Sequence, residues 1–265
     1  MMNVVELRIP NVRRAKRVST RRDANGEATV VIDNGSHELR AGFRDDSNPV
    51  LTIPNQLIRP RARWSTEFET MVGEHGFNVK GFDLGRAAVR SPFDANVVVN
   101  FDTQEAILDY VFDRLGFEGG SNFFRGGCEM MQLESMDGTN VLMTECLGNP
   151  SMSRKTMLEL LFEGYGVKRV TLVPDCFGAF YHNRQTGRCG SSVVAVCSGH
   201  SATHVVPFVQ DKAHVQHAQR SRICGGPRIC CVNGWRGVCV RRCSGNYALA
   251  AADDVAQRPM RSVTQ

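Results

Sequence analysis

The residues best suited to chemistry lie in two glycine-containing turns, each between two short apolar segments. They are Asp33-Asn34-Gly35-Ser36 and Cys197-Ser198-Gly199-His200-Ser201. Successive backbone amide groups in such turns can form an anion-binding nest, and two nests together could hold the phosphates of a nucleotide. A plain hairpin needs the same glycine for a positive φ angle, so the spacing alone leaves both interpretations open.

The segments around these turns predict strands. Residues 28–33 form a β-branched apolar run typical of a buried strand, and residues 38–43 predict its hairpin partner. Prolines and glycines predict short strands and loops over 48–85. Further strands are predicted over 140–144, 169–173, 192–196 and 203–208.

Helices alternate with these strands. The apolar spacing predicts a helix over 101–116, with Asp102 as N-cap, Glu105 completing a capping box and Gly116 as its end. A second helix follows Pro150 and ends at Gly166, and a short one covers 174–181. The second helix has a predicted buried stripe formed by Met157, Leu158, Leu161, Phe162 and Tyr165. This alternation predicts an α/β class with a layered sheet.

Two regions lack such patterns. Residues 117–138 hold five glycines without a period, which predicts a flexible insertion. Residues 211–265 show no sustained period of 2 or 3.6, so we expect a disordered tail outside the core, with weak helical character only over 247–256.

Composition places the chain among globular proteins. Of its 265 residues 42% are apolar, which is enough for a substantial core. No apolar stretch approaches the roughly 18 residues of a membrane span, and the N-terminus lacks the apolar run of a signal peptide. We therefore expect neither a membrane protein nor a secreted one.

The charge is divided along the chain. Residues 1–22 and 211–265 each carry a net charge of +6, whereas the middle carries −7 within the total of +5. Basic ends suit a polyanion such as DNA or a nuclear import receptor, and they also suit a solvated disordered arm.

The ten cysteines follow the same division. Five are spread singly through the middle and are interpreted as reduced core side chains. The other five, with His214 and His217, could form a zinc or nucleic-acid module, but their spacing matches no standard finger, so a disordered basic appendage is favoured. The tail cysteines are Cys224, Cys230, Cys231, Cys239 and Cys243.

Cys197 and His200 are soft metal ligands in the middle of the chain. No second pair of ligands follows at metal-binding spacing, so we expect no metal site there.

Several separated motifs resemble the actin family in order and spacing. They are residues 30–36, Arg40-Ala41-Gly42-Phe43, Leu142-Met143-Thr144-Glu145 followed by Asn149-Pro150, and Ser198-Gly199 followed by Thr203-His204 and Pro207. Residues 90–116 and 153–167 resemble a nuclear subfamily of actin-related proteins. The resemblance implies an actin-like, ribonuclease H-like ATPase fold of α/β class, a layered mixed sheet with helices.

The resemblance also assigns candidate site residues. It implies that Asp33, Asn34, Gly35 and Ser36 form the first phosphate loop, with the aspartate ordering water on the metal. Arg40 stands where actins have a lysine that reaches the phosphates, and Ser198 and Gly199 belong to the second loop.

Three positions depart from the family pattern. Asp175 stands where actins have a glutamine that positions the attacking water, and Cys197 and His200 stand where they have two aspartates. A thiol and an imidazole cannot replace carboxylates around Mg²⁺. We therefore expect no catalytic residue, no efficient hydrolysis, and at most weak binding of ATP and Mg²⁺.

The resemblance covers residues 28–208 and stops near Gln210. It implies a basic arm (1–22), a first lobe with a small subdomain (23–191), the opening hairpin of an incomplete second lobe (192–210), and an unrelated tail (211–265). The chain is thus expected to be truncated, and the outer strand of that hairpin to expose an unpaired edge.

The implied function is that of a noncatalytic subunit of a nuclear ATP-dependent chromatin remodeller of the INO-eighty type, acting in nucleosome remodelling, transcription and DNA repair. Its partners would be remodelling-complex subunits, including the motor ATPase and a small partner subunit, with DNA or the nucleosome at the basic ends. One alternative is an actin-type or sugar-kinase-type ATPase with weak activity. Another is a basic nucleic-acid-binding protein that acts through its tail.

The N-terminal arm carries a basic cluster, Arg13, Arg14, Lys16 and Arg17. It could be a nuclear localisation signal, a solvated arm or, because residues 7–22 are rich in arginine and free of acids, a mitochondrial presequence. The family resemblance favours the nucleus.

Overall fold

The computed structural model describes residues 21–62, 71–72, 82–117, 135–222 and 238–242. The predicted localisation cluster, residues 118–134 of the insertion predicted over 117–138, and the weak helix at 247–256 lie outside these residues. The ends of that insertion were wrongly predicted as flexible, because Phe117 and Met136 are buried in the core. The chain divides into two compact units, Met1–Val173 and Pro174–Gln265.

The described residues form fifteen strands and three α-helices. The strands are β1 (Ala28–Asn34), β2 (Glu38–Phe43), β3 (Leu51–Pro54), β4 (Leu57–Ala62), β5 (Met71–Val72), β6 (Phe82–Arg90), β7 (Phe93–Asp94), β8 (Val97–Val98), β9 (Thr139–Glu145), β10 (Arg169–Pro174), β11 (Val193–Ser198), β12 (Ala202–Val209), β13 (Lys212–Ala213), β14 (Gln219–Arg222) and β15 (Val238–Arg242). The helices are α1 (Phe101–Leu115), α2 (Ser151–Glu159), which continues into a π-helical turn (Leu160–Gly164), and α3 (Asp175–Gln185).

The first unit is built on a mixed sheet in the order β10-β9-β1-β2-β3. β1 pairs antiparallel with β2 and parallel with β9, which confirms the predicted hairpin and the α/β class. In β1 alternate residues such as Val30 and Ile32 are fully buried, because successive side chains of a strand point to opposite faces. Among the described residues this unit also contains a smaller sheet, β5-β4-β6, and the hairpin of β7 and β8.

Helix α1 covers this core with one face, on which Ile107, Leu108, Val111 and Leu115 are fully buried. Its N-cap is Asn100, whose side chain accepts a hydrogen bond from the Thr103 amide at 2.9 Å. The prediction of Asp102 as the cap, with Glu105 in a capping box, was therefore wrong by two residues. Gly116 ends the helix with φ 97°, as predicted.

Helix α2 buries Met157, and Leu161 and Tyr165 are buried in and just after the π-helical turn. Phe162, which the apolar spacing places on the same stripe, is 44% exposed. The π-helical turn holds more residues than an α-turn and so rotates Phe162 away from the core.

The second unit contains the hairpin of β11 and β12 with α3 packed against it. Phe180 of α3 stacks on Phe208 of β12 with ring centroids 4.0 Å apart. This contact explains why α3 belongs to the second unit, whereas the sequence placed the boundary after it, at residue 192.

Both edges of the β11–β12 hairpin are covered. β13 and β14 pair antiparallel with β12, and β15 pairs parallel with β11. The expected unpaired edge was therefore wrong, and part of the tail that we expected to be disordered forms strands. These strands are only two to five residues long, too short to produce a detectable period.

The change of partner along β12 occurs around Pro207. β14 pairs with residues 202–205 of β12, and β13 pairs with Phe208 and Val209. Between these two ladders the Pro207 carbonyl accepts a hydrogen bond from the His214 amide at 2.9 Å. Among the described residues, none of the helices has the length and apolar character needed to cross a membrane.

Candidate functional site

The first predicted loop lies at the end of the β1–β2 hairpin. β1 ends at Asn34 and β2 begins at Glu38, so Gly35, Ser36 and His37 form the connection. The φ of Gly35 lies outside the left-handed region, unlike the expectation for a plain hairpin. Glycine is required there for a different reason: a Cβ on Gly35 would stand 2.8 Å from the carbonyl oxygen of Glu38.

Asp33 is oriented by the neighbouring strand β9. The Thr144 hydroxyl donates to Asp33 Oδ1 at 2.9 Å, and the Asn34 amide donates to the same hydroxyl oxygen at 2.9 Å. One threonine thus fixes both the side chain and the backbone at the start of the loop. The sequence motif contained Thr144 but did not identify this role.

Arg40 lies beside the loop, between two carboxylates. Its Nη1 is 3.4 Å from Asp33 Oδ2, and its Nη2 contacts Glu38 Oε2. The side chains are between 23% and 33% exposed, so the three charged groups lie at the protein surface. The guanidinium would have to exchange these partners before it could hold a phosphate.

A buried network of three amide side chains supports the loop from behind. Asn34 Nδ2 donates to Gln104 Oε1 of α1 at 3.1 Å, and Asn55 Nδ2 donates to Asn34 Oδ1 at 2.8 Å. Asn55 Nδ2 also lies 2.8 Å from the Gly35 carbonyl oxygen. All three side chains are at most 8% exposed. Sequence reasoning missed this network, because its members lie on β1, on α1 and in the loop between β3 and β4.

A cavity of about 410 Å³ lies elsewhere in the first unit, between the small sheet and α1. Arg59 and Arg90 line it from the strands, and Asp102, Glu105 and Asp109 line it from the helix. Burial is the main cause that raises the pKa of Glu105, and the nearby carboxylates of Asp109 and Asp102 raise this pKa further. This cavity contains none of the predicted site residues.

The second predicted loop lies at the end of the β11–β12 hairpin in the second unit. The Gly199 amide donates to the Ala202 carbonyl at 2.9 Å, and the hydroxyl oxygens of Ser198 and Thr203 are 3.2 Å apart. The Gly199 amide is thus used within the turn itself.

The two residues of this loop that the resemblance marks as departures, Cys197 and His200, differ in burial. Cys197 is 3% exposed and pairs with His204 across the hairpin, whereas His200 lies at the exposed tip of the turn. No carboxylate is present in residues 197–201.

Asp175 is the first residue of α3. Its Oδ1 accepts a hydrogen bond from the Cys176 amide at 2.8 Å and lies 3.7 Å from His204 Nδ1. His204 is 1% exposed, and within the described residues neither ring nitrogen has a hydrogen-bond partner. Sequence reasoning used His204 only as part of a motif.

The neighbouring Cys176 thiol is also affected by this environment. Burial is the main cause that raises its pKa to about 12, and the Asp175 carboxylate contributes to this rise.

The predicted site residues thus form two groups, each within its own unit. Asp33, Asn34, Gly35, Ser36 and Arg40 lie together in the first, and Asp175, Cys197, Ser198, Gly199 and His200 in the second. The described residues contain no group of three or more His, Cys, Asp or Glu side chains that could hold a metal ion. Of the residues proposed for a zinc module, Cys224, Cys230, Cys231 and Cys243 lie outside the described residues.

Comparison with known proteins gives a consistent result. The chain is 36% identical over 215 residues to actin-related protein 5 of Arabidopsis thaliana, covering 81% of this chain and 28% of that protein. It is 37% identical over 208 residues to actin-related protein 5 of Gallus gallus, covering 74% and 30%, and 34% identical over 204 residues to that of Homo sapiens, also covering 74% and 30%. It therefore spans under a third of the length of these relatives.

A family model described as actin matches residues 24–229. The match extends beyond Gln210, where we expected the resemblance to stop, and it includes β13 and β14. The match covers more than half of the chain and agrees with the mixed sheet and the two loops described above. The chain therefore belongs to the actin family, and its sequence is similar to actin-related protein 5 within that family.

Proposed function

We propose that this chain is a noncatalytic actin-related subunit of a nuclear ATP-dependent chromatin-remodelling complex of the INO-eighty type, acting in nucleosome remodelling, transcription regulation and DNA repair. The observation that carries the noncatalytic part is the chemistry of the second loop. Residues 197–201 offer a buried thiol and an exposed imidazole where the family resemblance implies two aspartates. Mg²⁺ prefers carboxylate and water oxygens, so this loop is a poor metal site.

The similarity to actin-related protein 5 supports the assignment to a remodelling complex. The proposed partners are the motor ATPase, a small partner subunit and other subunits of the complex, with DNA or the nucleosome at the basic ends. Nuclear localisation is part of the proposal and rests on the cluster of Arg13, Arg14, Lys16 and Arg17.

A second candidate function is weak ATP binding or weak ATPase activity. The first loop favours it, because Asp33 is oriented by Thr144 and the loop is supported by the amide network. In this case Arg40 would release Asp33 and Glu38 when a phosphate binds.

Two measurements on the full chain test the proposal. Nucleotide titration with and without Mg²⁺ should give at most weak affinity and no turnover. Co-purification with remodelling subunits should be retained in the Asp33→Ala variant, whose first loop has lost its carboxylate. Micromolar ATP affinity with turnover that Asp33→Ala abolishes would establish the second candidate instead.

Localisation is tested separately with residues 1–22 fused to a fluorescent protein. We expect accumulation in the nucleus, and loss of it when the four basic residues are replaced by alanine. Accumulation in mitochondria would contradict the proposed compartment.

A further inference from the structure

The cavity between the small sheet and α1 has two walls of opposite charge. Asp102, Glu105 and Asp109 line it from α1, and Arg59 and Arg90 line it from β4 and β6. Its volume of about 410 Å³ is within the range of ligand pockets, roughly 300 to 1,000 Å³. Both walls belong to the first unit. We call this cavity the charged cleft.

The acidic wall follows one face of α1. Asp102, Glu105 and Asp109 are three and then four residues apart, so they lie on the same side of the helix. The helical rise of about 1.5 Å per residue makes this wall roughly 10 Å long. Asp109 is 3% exposed, and the Tyr165 hydroxyl donates a hydrogen bond to its Oδ1 at 2.8 Å. Asp109 is thus a fixed, buried end of the wall, whereas Asp102 and Glu105 are exposed and open to a ligand.

The basic wall is one face of the small sheet. Leu57 of β4 is in register with Arg90 of β6, and Arg59 is in register with Ala88. Residues two apart on a strand share a face, so the two arginines are diagonal neighbours with backbone positions about 7 to 8 Å apart. Leu57 and Ala88 occupy the other diagonal, and this wall therefore combines two charges with an apolar surface.

Three of the charges in the cleft form no ion pair among the described residues. They belong to Arg90, Asp102 and Glu105. Burial raises the pKa of Glu105, and the carboxylates of Asp109 and Asp102 raise it further, so a cation placed beside this wall would offset their mutual repulsion. A ligand can therefore reach these three charges without breaking an ion pair between described residues.

The opposite charges of the walls favour a ligand that carries both signs. A purely basic ligand would be repelled by the arginines, and a purely acidic ligand would be repelled by the carboxylates. Successive side chains of an extended peptide point to opposite sides, so alternating basic and acidic residues would face both walls favourably at once. An extended peptide rises about 3.4 Å per residue, so three residues match the length of the acidic wall.

We propose that the charged cleft binds an extended segment of a partner protein in which basic and acidic residues alternate. The basic side chains of the segment contact Asp102 and Glu105, and its acidic side chains contact Arg90. Leu57 and Ala88 pack against the aliphatic parts of its side chains. The inference goes beyond the proposed function and does not depend on it, because the cleft contains no residue of either hairpin loop.

The test measures binding of the full 265-residue chain to a fluorescent, terminally capped peptide of three Lys-Glu repeats, by anisotropy at low salt. The control ligand has the same composition in two blocks, with three lysines followed by three glutamates. We expect the alternating peptide to bind about tenfold more tightly, because only its side chains match both walls along the whole cleft.

Two substitutions remove one charge from each wall. Glu105→Gln and Arg90→Gln should each weaken binding of the alternating peptide about threefold, and together about tenfold, because exposed charge pairs contribute little individually. Glu163→Gln and Arg188→Gln are matched controls, since both side chains are exposed and lie outside the cleft. The control variants should bind like the parent chain.

An exchange of charge distinguishes loss of binding from loss of fold. Glu105→Lys places a positive charge in the acidic wall and should weaken binding of the alternating peptide about tenfold. Adding Arg90→Glu places opposite charges across the cleft again and should recover most of that loss. Recovery by a second substitution is not expected if each substitution only damages the fold.

Several results would overturn the inference. They are equal affinity for the alternating and block peptides, parent-like binding by the double variant Glu105→Gln/Arg90→Gln, an equal loss in the control variants, and a further loss when Arg90→Glu is added to Glu105→Lys. Displacement of the labelled peptide by an equal concentration of the free dipeptide Lys-Glu would also overturn it, because that result indicates a site for a small zwitterion.

Discussion

The two hairpin loops differ in what holds them. The first loop is fixed by side chains from other elements: Thr144 orients Asp33, and Asn55 and Gln104 bind Asn34. In the second loop the Gly199 amide donates to the Ala202 carbonyl and Ser198 lies beside Thr203, and both contacts are within the hairpin. The first loop presents a carboxylate at the surface, whereas the second buries a thiol, Cys197, at the equivalent end of its strand.

This difference indicates that the two loops are under different physical constraints. A carboxylate oriented by a hydroxyl group needs the surrounding network to stay in place. A buried thiol needs only an apolar environment, and it forms few hydrogen bonds. The first loop therefore presents a polar side chain at the surface, whereas the second begins at a buried thiol beside strands that the tail supplies.

The largest expected effect comes from removing the strands β13, β14 and β15. A chain ending at Gln210 loses β13, β14 and β15 and leaves both edges of the β11–β12 hairpin uncovered. We expect the second unit to lose cooperative unfolding, measured by thermal denaturation and limited proteolysis. A chain ending at Arg242 is the control and should unfold like the parent. Identical unfolding of both truncations would show that the added strands do not stabilise the hairpin.

Restoring a carboxylate in the second loop should be nearly as disruptive. Cys197 is 3% exposed, so Cys197→Asp would place a carboxylate in a buried site. We expect a loss of roughly 3 to 5 kcal/mol in the free energy of unfolding, measured with urea. Cys197→Ala, which adds no charge, should cost about 1 kcal/mol. A Cys197→Asp variant as stable as the parent, with Mg²⁺-dependent ATP binding, would show that the second loop accommodates a carboxylate as well as the first loop does.

The amide network of the first loop should be the next most sensitive. Asn55→Ala leaves Asn34 Oδ1 and the Gly35 carbonyl without the hydrogen bonds that Asn55 donates. We expect a loss of roughly 2 to 3 kcal/mol, because buried polar groups without partners are costly. Gln56→Ala, one residue further along, should change stability by less than about 0.5 kcal/mol. Equal effects of the two substitutions would rule out a specific role for Asn55.

The two loop glycines give a direct comparison. A Cβ at Gly35 would lie 2.8 Å from a backbone carbonyl oxygen, whereas one at Gly199 would lie 3.2 Å from one. Gly35→Ala should therefore cost roughly 1 to 2 kcal/mol and Gly199→Ala less, measured by urea denaturation. The reverse order would show that the second loop is the more tightly constrained of the two.

The smallest effect concerns the pH dependence of the first unit. Hydrogen bonds from Lys168, at 2.6 Å, and Asn140 lower the pKa of Glu27 from 4.5 to about 2. Because the folded-state pKa is depressed, this stabilisation is fully present above pH 4.5 and is lost as the pH falls towards 2. Glu27→Gln should flatten the stability profile in that interval. An unchanged profile would place the acid sensitivity elsewhere.

Much of the first unit could be predicted from its sequence because its patterns are local. The β1–β2 hairpin shows alternate burial along β1, and the apolar stripe of α1 is buried as predicted. The N-cap could not be chosen correctly, because Asn100 and Asp102 are both good caps and only the structure shows which side chain accepts the amide hydrogen bond.

The features that sequence reasoning missed depend on contacts between distant residues. The network of Asn34, Asn55 and Gln104 joins β1, α1 and the loop between β3 and β4, and β15 pairs with β11 across more than forty residues of chain. Phe162 was misplaced because a π-helical turn changes the helical period, and single-sequence periodicity assumes a constant one. The family resemblance identified the loops but could not show which groups bind each other.

Pro207 divides the edge of β12 along which β13 and β14 pair. Its carbonyl faces β13, so its nitrogen faces the same edge, and that nitrogen carries no hydrogen. β13 and β14 therefore do not form one continuous ladder along β12, and either strand can detach without unzipping the other. Amide hydrogen exchange of this edge should accordingly resolve into two separate protection levels, one for each side of the proline.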